Sequence, residues 1–150
     1  MRRPPAAVTK TFTLDVELAC DFDLFGLVSS ARDYSLAWAL NRALRLRLCR
    51  QPELLLPLPG REPLVFSHYL YVTDVLTLRL FRNRALVPSA LPKPFLAPDV
   101  REYDYLLAIT NGGQELAGAP LVHRLQALPA VQHAVQFDPD TLKYKENLIL

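Results

Sequence analysis

Cysteine is nearly missing from this chain: Cys20 and Cys49 are the only two in 150 residues. That scarcity excludes a multi-disulfide secreted scaffold and fits a reducing compartment, with a single bridge between the two thiols as the open alternative. An excess of one charge is missing too, since seventeen Lys and Arg against fifteen Asp and Glu leave only +2. Such a balance gives no strong long-range field toward nucleic acid or an anionic membrane, so any basic contact must come from a local patch. No run approaches the roughly 18 apolar residues of a membrane span. Arg42, Arg45, Arg47 and Arg50 interrupt the Leu-rich middle, and Arg79, Arg82 and Arg84 the stretch after it. Arg2 and Arg3 are followed by Pro4 and Pro5 rather than by an apolar run and a small-residue cleavage site, so no secretory signal is expected. These shortages predict a cytoplasmic protein with no membrane partner.

Catalytic groups are equally sparse. The three histidines, His68, His123 and His133, are scattered, and no His or Cys spacing suggests a metal site. His68 and His133 fall on apolar strand patterns, where satisfied core or edge histidines are the favoured reading over a ligand pair. There is no Gly-x-Ser-x-Gly elbow, P-loop or dinucleotide turn. Gly112-Gly113 is the nearest approach to an anion-binding turn, and a plain strand-to-helix connection explains it better. Asp99, Glu102 and Asp104 lie close in sequence, but no loop has calcium-type spacing, so they read as surface acids. No catalytic residue, metal or cofactor is expected. Enzymes assemble sites from residues distant in sequence, so an apolar pocket rimmed by Tyr34, Tyr69 and Tyr105 with a carboxylate nearby would revive an enzyme reading.

What the chain does have is patterned apolar sequence. A short N-terminal arm through Ala7 precedes Thr11 to Leu18, where Phe12, Leu14, Val16 and Leu18 alternate with polar residues as in a half-buried strand. Asp21 to Ser29, dense in Phe and Leu around Gly26, reads as an apolar connection with a short helical turn. Ser30 followed by Asp33 signals a helix start. Leu36, Ala37, Leu40, Ala43 and Leu44 then recur at helical spacing, which predicts an amphipathic helix near 30–44 with Trp38 substantially buried. Pro52, Pro57, Pro59 and Pro63 mark an irregular edge segment. Leu64 to Val72 and Val75 to Arg82 predict two strands joined tightly at Thr73 and Asp74. Pro88, Pro92, Pro94 and Pro98 make residues 85–99 a loop, read as a stiff crossover rather than a recognition peptide. Tyr103 to Thr110 predicts a strand, 115–128 a second helix closed by Pro129, and Val131 to Phe137 a last strand.

The expected fold is therefore α+β: a single domain over 8–150 with a mainly antiparallel sheet and two principal helices, in the order strand, helix, strands, helix, strand. Leu148-Ile149-Leu150 should dock on the body of the domain by pairing with a sheet edge, with a homodimer contact as the alternative. The clearest charge feature is Arg42, Arg45, Arg47 and Arg50. With so few catalytic signatures, a non-catalytic binding or adaptor module with a protein partner is the leading reading. Nucleic-acid binding through those four arginines, joined by Lys143 and Lys145 and with Tyr34 or Trp38 stacking on bases, is the second.

Residues 97–105 read Ala-Pro-Asp-Val-Arg-Glu-Tyr-Asp-Tyr, which resembles the signature of the bacterial IPExxxVDY family. Pro98, Asp104 and Tyr105 match it, whereas Ala97, Asp99 and Tyr103 replace its Ile, Glu and Val. The resemblance extends to Asp21–Gly26, to Asp33–Asn41 and to Leu142–Ile149, so it covers most of the chain from Thr11 onward. It implies no activity, cofactor or catalytic residue that could be carried onto these positions. Its physical content is a Pro98-stiffened loop into a strand, with Tyr103 and Tyr105 on one face and Asp104 on the other. Tyr103, Asp104 and Tyr105 join the four arginines as candidate partner-binding residues.

Overall fold

The structure, a computed structural model, describes residues 21–86 and 94–150. The predicted strand at Thr11–Leu18, the arm before it, Cys20 and the middle of the proline-rich loop lie outside the described residues. The sheet is organised around β7 (Tyr105–Thr110), whose sequence Tyr-Leu-Leu-Ala-Ile is buried throughout. An uninterrupted apolar run of this kind is stable only where both faces are covered. On one side β7 pairs with β6 (Thr77–Arg82), and on the other with β1 (Asp23–Val28). Among the described residues the sheet has six strands in the order β2-β5-β6-β7-β1-β8, all antiparallel, with β2 at Cys49–Arg50, β5 at His68–Val72 and β8 at His133–Phe137. A second, two-stranded sheet pairs β3 (Leu54–Leu58) with β4 (Arg61–Phe66), its register shifting at Pro57.

β1 corrects the reading of Asp21 to Ser29 as a connection. Leu24, Phe25, Gly26 and Leu27 are all buried, so the alternation by which strands are recognised is lost. Gly26, which suggests a turn, is there for close packing: a Cβ at this position would fall 2.9 Å from Tyr103 Cγ and closer still to the Phe137 ring. The single strand expected over Leu64 to Val72 is also divided. At Ser67 the chain leaves the small sheet and enters the large one, where β5 and β6 form the expected hairpin.

Each face of the large sheet carries its own core. Both helices, α1 (Asp33–Leu44) and α2 (Gly118–Gln126), cover one face, packing Leu36, Leu40, Leu44, Leu121 and Leu125 onto Phe25, Leu27, Leu78, Leu80, Leu107 and Ile109. The opposite face, through Leu24, Phe81, Leu106 and Ala108, meets the β3–β4 hairpin, the segment around Leu96–Val100, and the C-terminal Leu142 and Leu148. The result is a single α+β domain with a mainly antiparallel sheet. Of the last three residues only Leu148 docks, in a 3-10 turn over Lys145–Leu148 rather than as a strand, leaving Ile149 and Leu150 exposed.

Candidate functional site: a groove on the outer face of α1

Helix α1 starts without a side-chain cap on its own N-cap residue, Arg32, and Asp33 supplies a negative charge to the first turn. Ser30 does not cap it, contrary to the sequence signal. Ser29 acts instead: its hydroxyl accepts a hydrogen bond from Ala31 N (3.1 Å) and donates one to Ala130 O, across the gap to the turn that follows α2. Gln132 N donates to Val28 O (2.8 Å) beside it. Residues 29–31 thus bridge the start of α1 to the 129–132 turn.

Two residues of the 97–105 segment hold that bridge. Asp104 Oδ2 accepts from Ser29 N (2.8 Å), and the Tyr105 hydroxyl donates to Ala31 O (2.6 Å). Burial, reinforced by Asp33 and Asp104 and opposed by Arg82, pushes the Tyr105 phenol up to about 12, so it stays protonated and donating. Tyr103 does not share a face with Tyr105, as the strand reading required. It precedes the strand proper and packs into the opposite core, edge-on to Phe137 at 5.0 Å and against the His133 ring at 6.3 Å. Asn83, which sequence reasoning missed, organises the whole segment from a fully buried position. Its Nδ2 donates to the carbonyls of Ala97 (3.4 Å), Val100 (3.2 Å) and Tyr103 (3.0 Å), and its Oδ1 accepts from Ala97 N (2.8 Å). Asp99 is occupied as well, accepting from Lys143 N (2.7 Å). The acids 99 and 104 therefore serve backbone groups and do not converge. Among the described residues no group of three or more His, Cys, Asp or Glu side chains could hold a metal ion.

His68 and His133 lie four strands apart in the sheet order. His68 stacks on Phe81 at 5.1 Å and faces Arg79 Nη1 at 3.2 Å. Because Arg can only donate, His68 Nε2 must accept, which requires the neutral ring. Burial, with Arg79 adding to it, lowers the imidazole to about 4.

The clearest departure from the sequence reading is Trp38, expected in the core but 62% exposed. The inward stripe of α1 is filled by Leu36, Ala37, Leu40 and Leu44, which leaves Tyr34, Trp38 and Arg42 at successive turns on the outward face. The Arg42 guanidinium lies over the Trp38 ring, 4.9 Å from its centroid. Tyr34, Ser35, Trp38 and Ala39 form one wall of an open groove of about 540 Å3, and Pro129 and Ala130 the other. These are the two walls that Ser29 ties together. Leaving a large aromatic in water forgoes much of the roughly 1.5–3 kcal/mol that burial of such a side chain gives.

The remaining arginines diverge. Arg45 takes the left-handed conformation that ends α1, and Arg47 is exposed. Arg50 pairs with Asp33 (3.5 Å) and Glu53 (3.4 Å). Tyr34 and Tyr105 do share a smaller recess of about 290 Å3 with Asp33 and Arg82, but Tyr69 does not line it. In that recess the Tyr105 hydroxyl is already committed to Ala31 O, so the recess gains neither a free proton donor nor a base from it. The Cys49 thiol is free and exposed. No described helix is long and apolar enough to cross a membrane. The chain matches no protein-family model and no curated protein.

Proposed function

We propose that this protein is a non-catalytic binding module of the cytoplasm, related to the IPExxxVDY family, that docks a protein partner in the groove between α1 and the 129–130 turn. One observation carries the reading: the only tryptophan in the chain stands exposed beside Tyr34 over an apolar groove. Exposed aromatics rimming a concave apolar surface are the anchors of protein interfaces. The partner-binding residues are then Tyr34, Trp38 and Arg42, with Asp104 and Tyr105 acting behind them to fix the two walls. Arg50 is engaged by Asp33 and Glu53, which leaves a short basic surface for a nucleic acid to follow.

Affinity capture with the wild-type chain and with the Tyr34→Ala/Trp38→Ala double variant tests the proposal, circular dichroism serving as the control for folding. A partner held by the first and lost by the second supports it. An identical captured set, capture of nucleic acid alone, or turnover of a small molecule without any protein partner would overturn it. Light scattering on both chains shows whether the partner is a second copy.

A further inference from the structure

The groove carries charge information that names the chemistry of its occupant. None of its lining residues is acidic, and Asp33, the one acid on α1, has Oδ2 directed to Arg50. Arginines stand at its far end instead. Arg42 lies on Trp38, Arg45 closes the helix, and Arg124 reaches over from α2 to donate to Ala43 O (2.9 Å). Among the described residues none of these three makes an ion pair. A guanidinium lying over an indole still has N–H groups to offer, and they match the two oxygens of a carboxylate.

From this we infer that the groove takes an acidic peptide segment with a large apolar anchor: the anchor enters between Trp38 and Pro129–Ala130, and an Asp or Glu about one helical turn away meets Arg42. The inference rests on the protein-docking reading and adds the partner's composition to it. The lining suits an aliphatic or aromatic side chain, since Ala39, Pro129 and Ala130 are small and apolar. A second copy of the chain is a poor occupant, because a two-fold contact through this face would bring Tyr34, Trp38 and Arg42 again and offer no carboxylate to Arg42.

Trp38 supplies the readout, as the chain has no other tryptophan. A random-peptide phage library is panned on the full chain with counter-selection on Trp38→Ala, and the enriched peptides are synthesised and titrated against Trp38 emission. The expected consensus pairs a large apolar residue with Asp or Glu. Arg42→Glu is expected to weaken the best peptide roughly tenfold or more, and a Lys in place of the peptide's acid should restore binding to that variant. Enriched peptides that depend on Trp38 but have neutral or basic character would overturn this inference while leaving the docking reading intact. Absence of any Trp38-dependent peptide, or displacement of the peptide by an oligothymidine at equal concentration, would overturn both.

Discussion

The 97–105 segment and the outer face of α1 treat their polar and aromatic groups in opposite ways. In the first, Asp99, Asp104 and Tyr105 turn inward or sideways onto backbone groups, as does Asn83, which holds the segment from outside it, and Tyr103 covers Gly26. In the second, Tyr34, Trp38 and Arg42 face outward, and Arg42 lies over Trp38 instead of against the core. The segment with the more distinctive sequence is the structural one, and the plainer amphipathic helix presents the surface available to a partner. The two are joined at Ser29, which is held by Asp104 and in turn holds Ala130.

Substitutions can break this division of labour in order of expected effect. Asn83→Ala leaves three carbonyls and one N–H without their buried partner, and should cost about 3–5 kcal/mol, read from a denaturant midpoint. A variant of unchanged stability would remove Asn83 from the centre of the segment. The next largest effect belongs to pH. The His68 ring has a folded pKa of about 4 against 6.5 ordinarily, so the unfolded chain takes up a proton first as pH falls. Its contribution is fully present above pH 6.5 and is lost as the pH drops toward 4, by up to about 3 kcal/mol. His68→Gln should flatten the stability profile within that window, as measured by urea unfolding at several pH values.

Asp104→Asn tests the link between the two regions. It weakens the hydrogen bond to Ser29 N and should lower stability by about 1–3 kcal/mol. It should also weaken groove binding at temperatures where the chain stays folded, because the 29–31 bridge sets the spacing of the walls. The smallest stability effect is expected at the largest aromatic: Trp38→Ala should shift the unfolding midpoint by no more than about 0.5 kcal/mol. In agreement with its exposure, Trp38 emission in the native state should lie near that of the denatured chain and be open to a soluble quencher. A blue-shifted, protected tryptophan would show that the outer face of α1 is covered.

Much of the fold was legible because periodicity reports burial on one face. Helix α1 has one wet side and one dry side, and the β5–β6 hairpin and the final strand keep enough alternation to be read in about the right place. β1 was misread because it is dry on both sides and broken by a glycine. The site was harder to read. Helical spacing places Trp38 next to the apolar stripe, but a turn of about 100° per residue leaves a flanking position free to lie inside or outside according to what packs against it. That neighbour is the 129–130 turn, brought there by the hydrogen bonds from Ser29 Oγ to Ala130 O and from Gln132 N to Val28 O, with Ser29 N held by the Asp104 carboxylate, and contacts so distant in sequence leave no local pattern. Asn83 was silent for the same reason: a single asparagine after a strand looks like a turn residue until its four partners are in place.

The placement of β1 also governs how the chain reaches its native state. This strand pairs with β7 and β8, both in the last third of the sequence, and with no strand between. During synthesis Phe25 and Leu27 emerge early and must wait for Leu107 and Ala134, while the β3–β4 and β5–β6 hairpins close from neighbours already made. Loop-closure entropy makes the late pairing the slow event. On this topology the local hairpins are expected to close before the centre of the large sheet is filled, and the two walls of the groove to come together last.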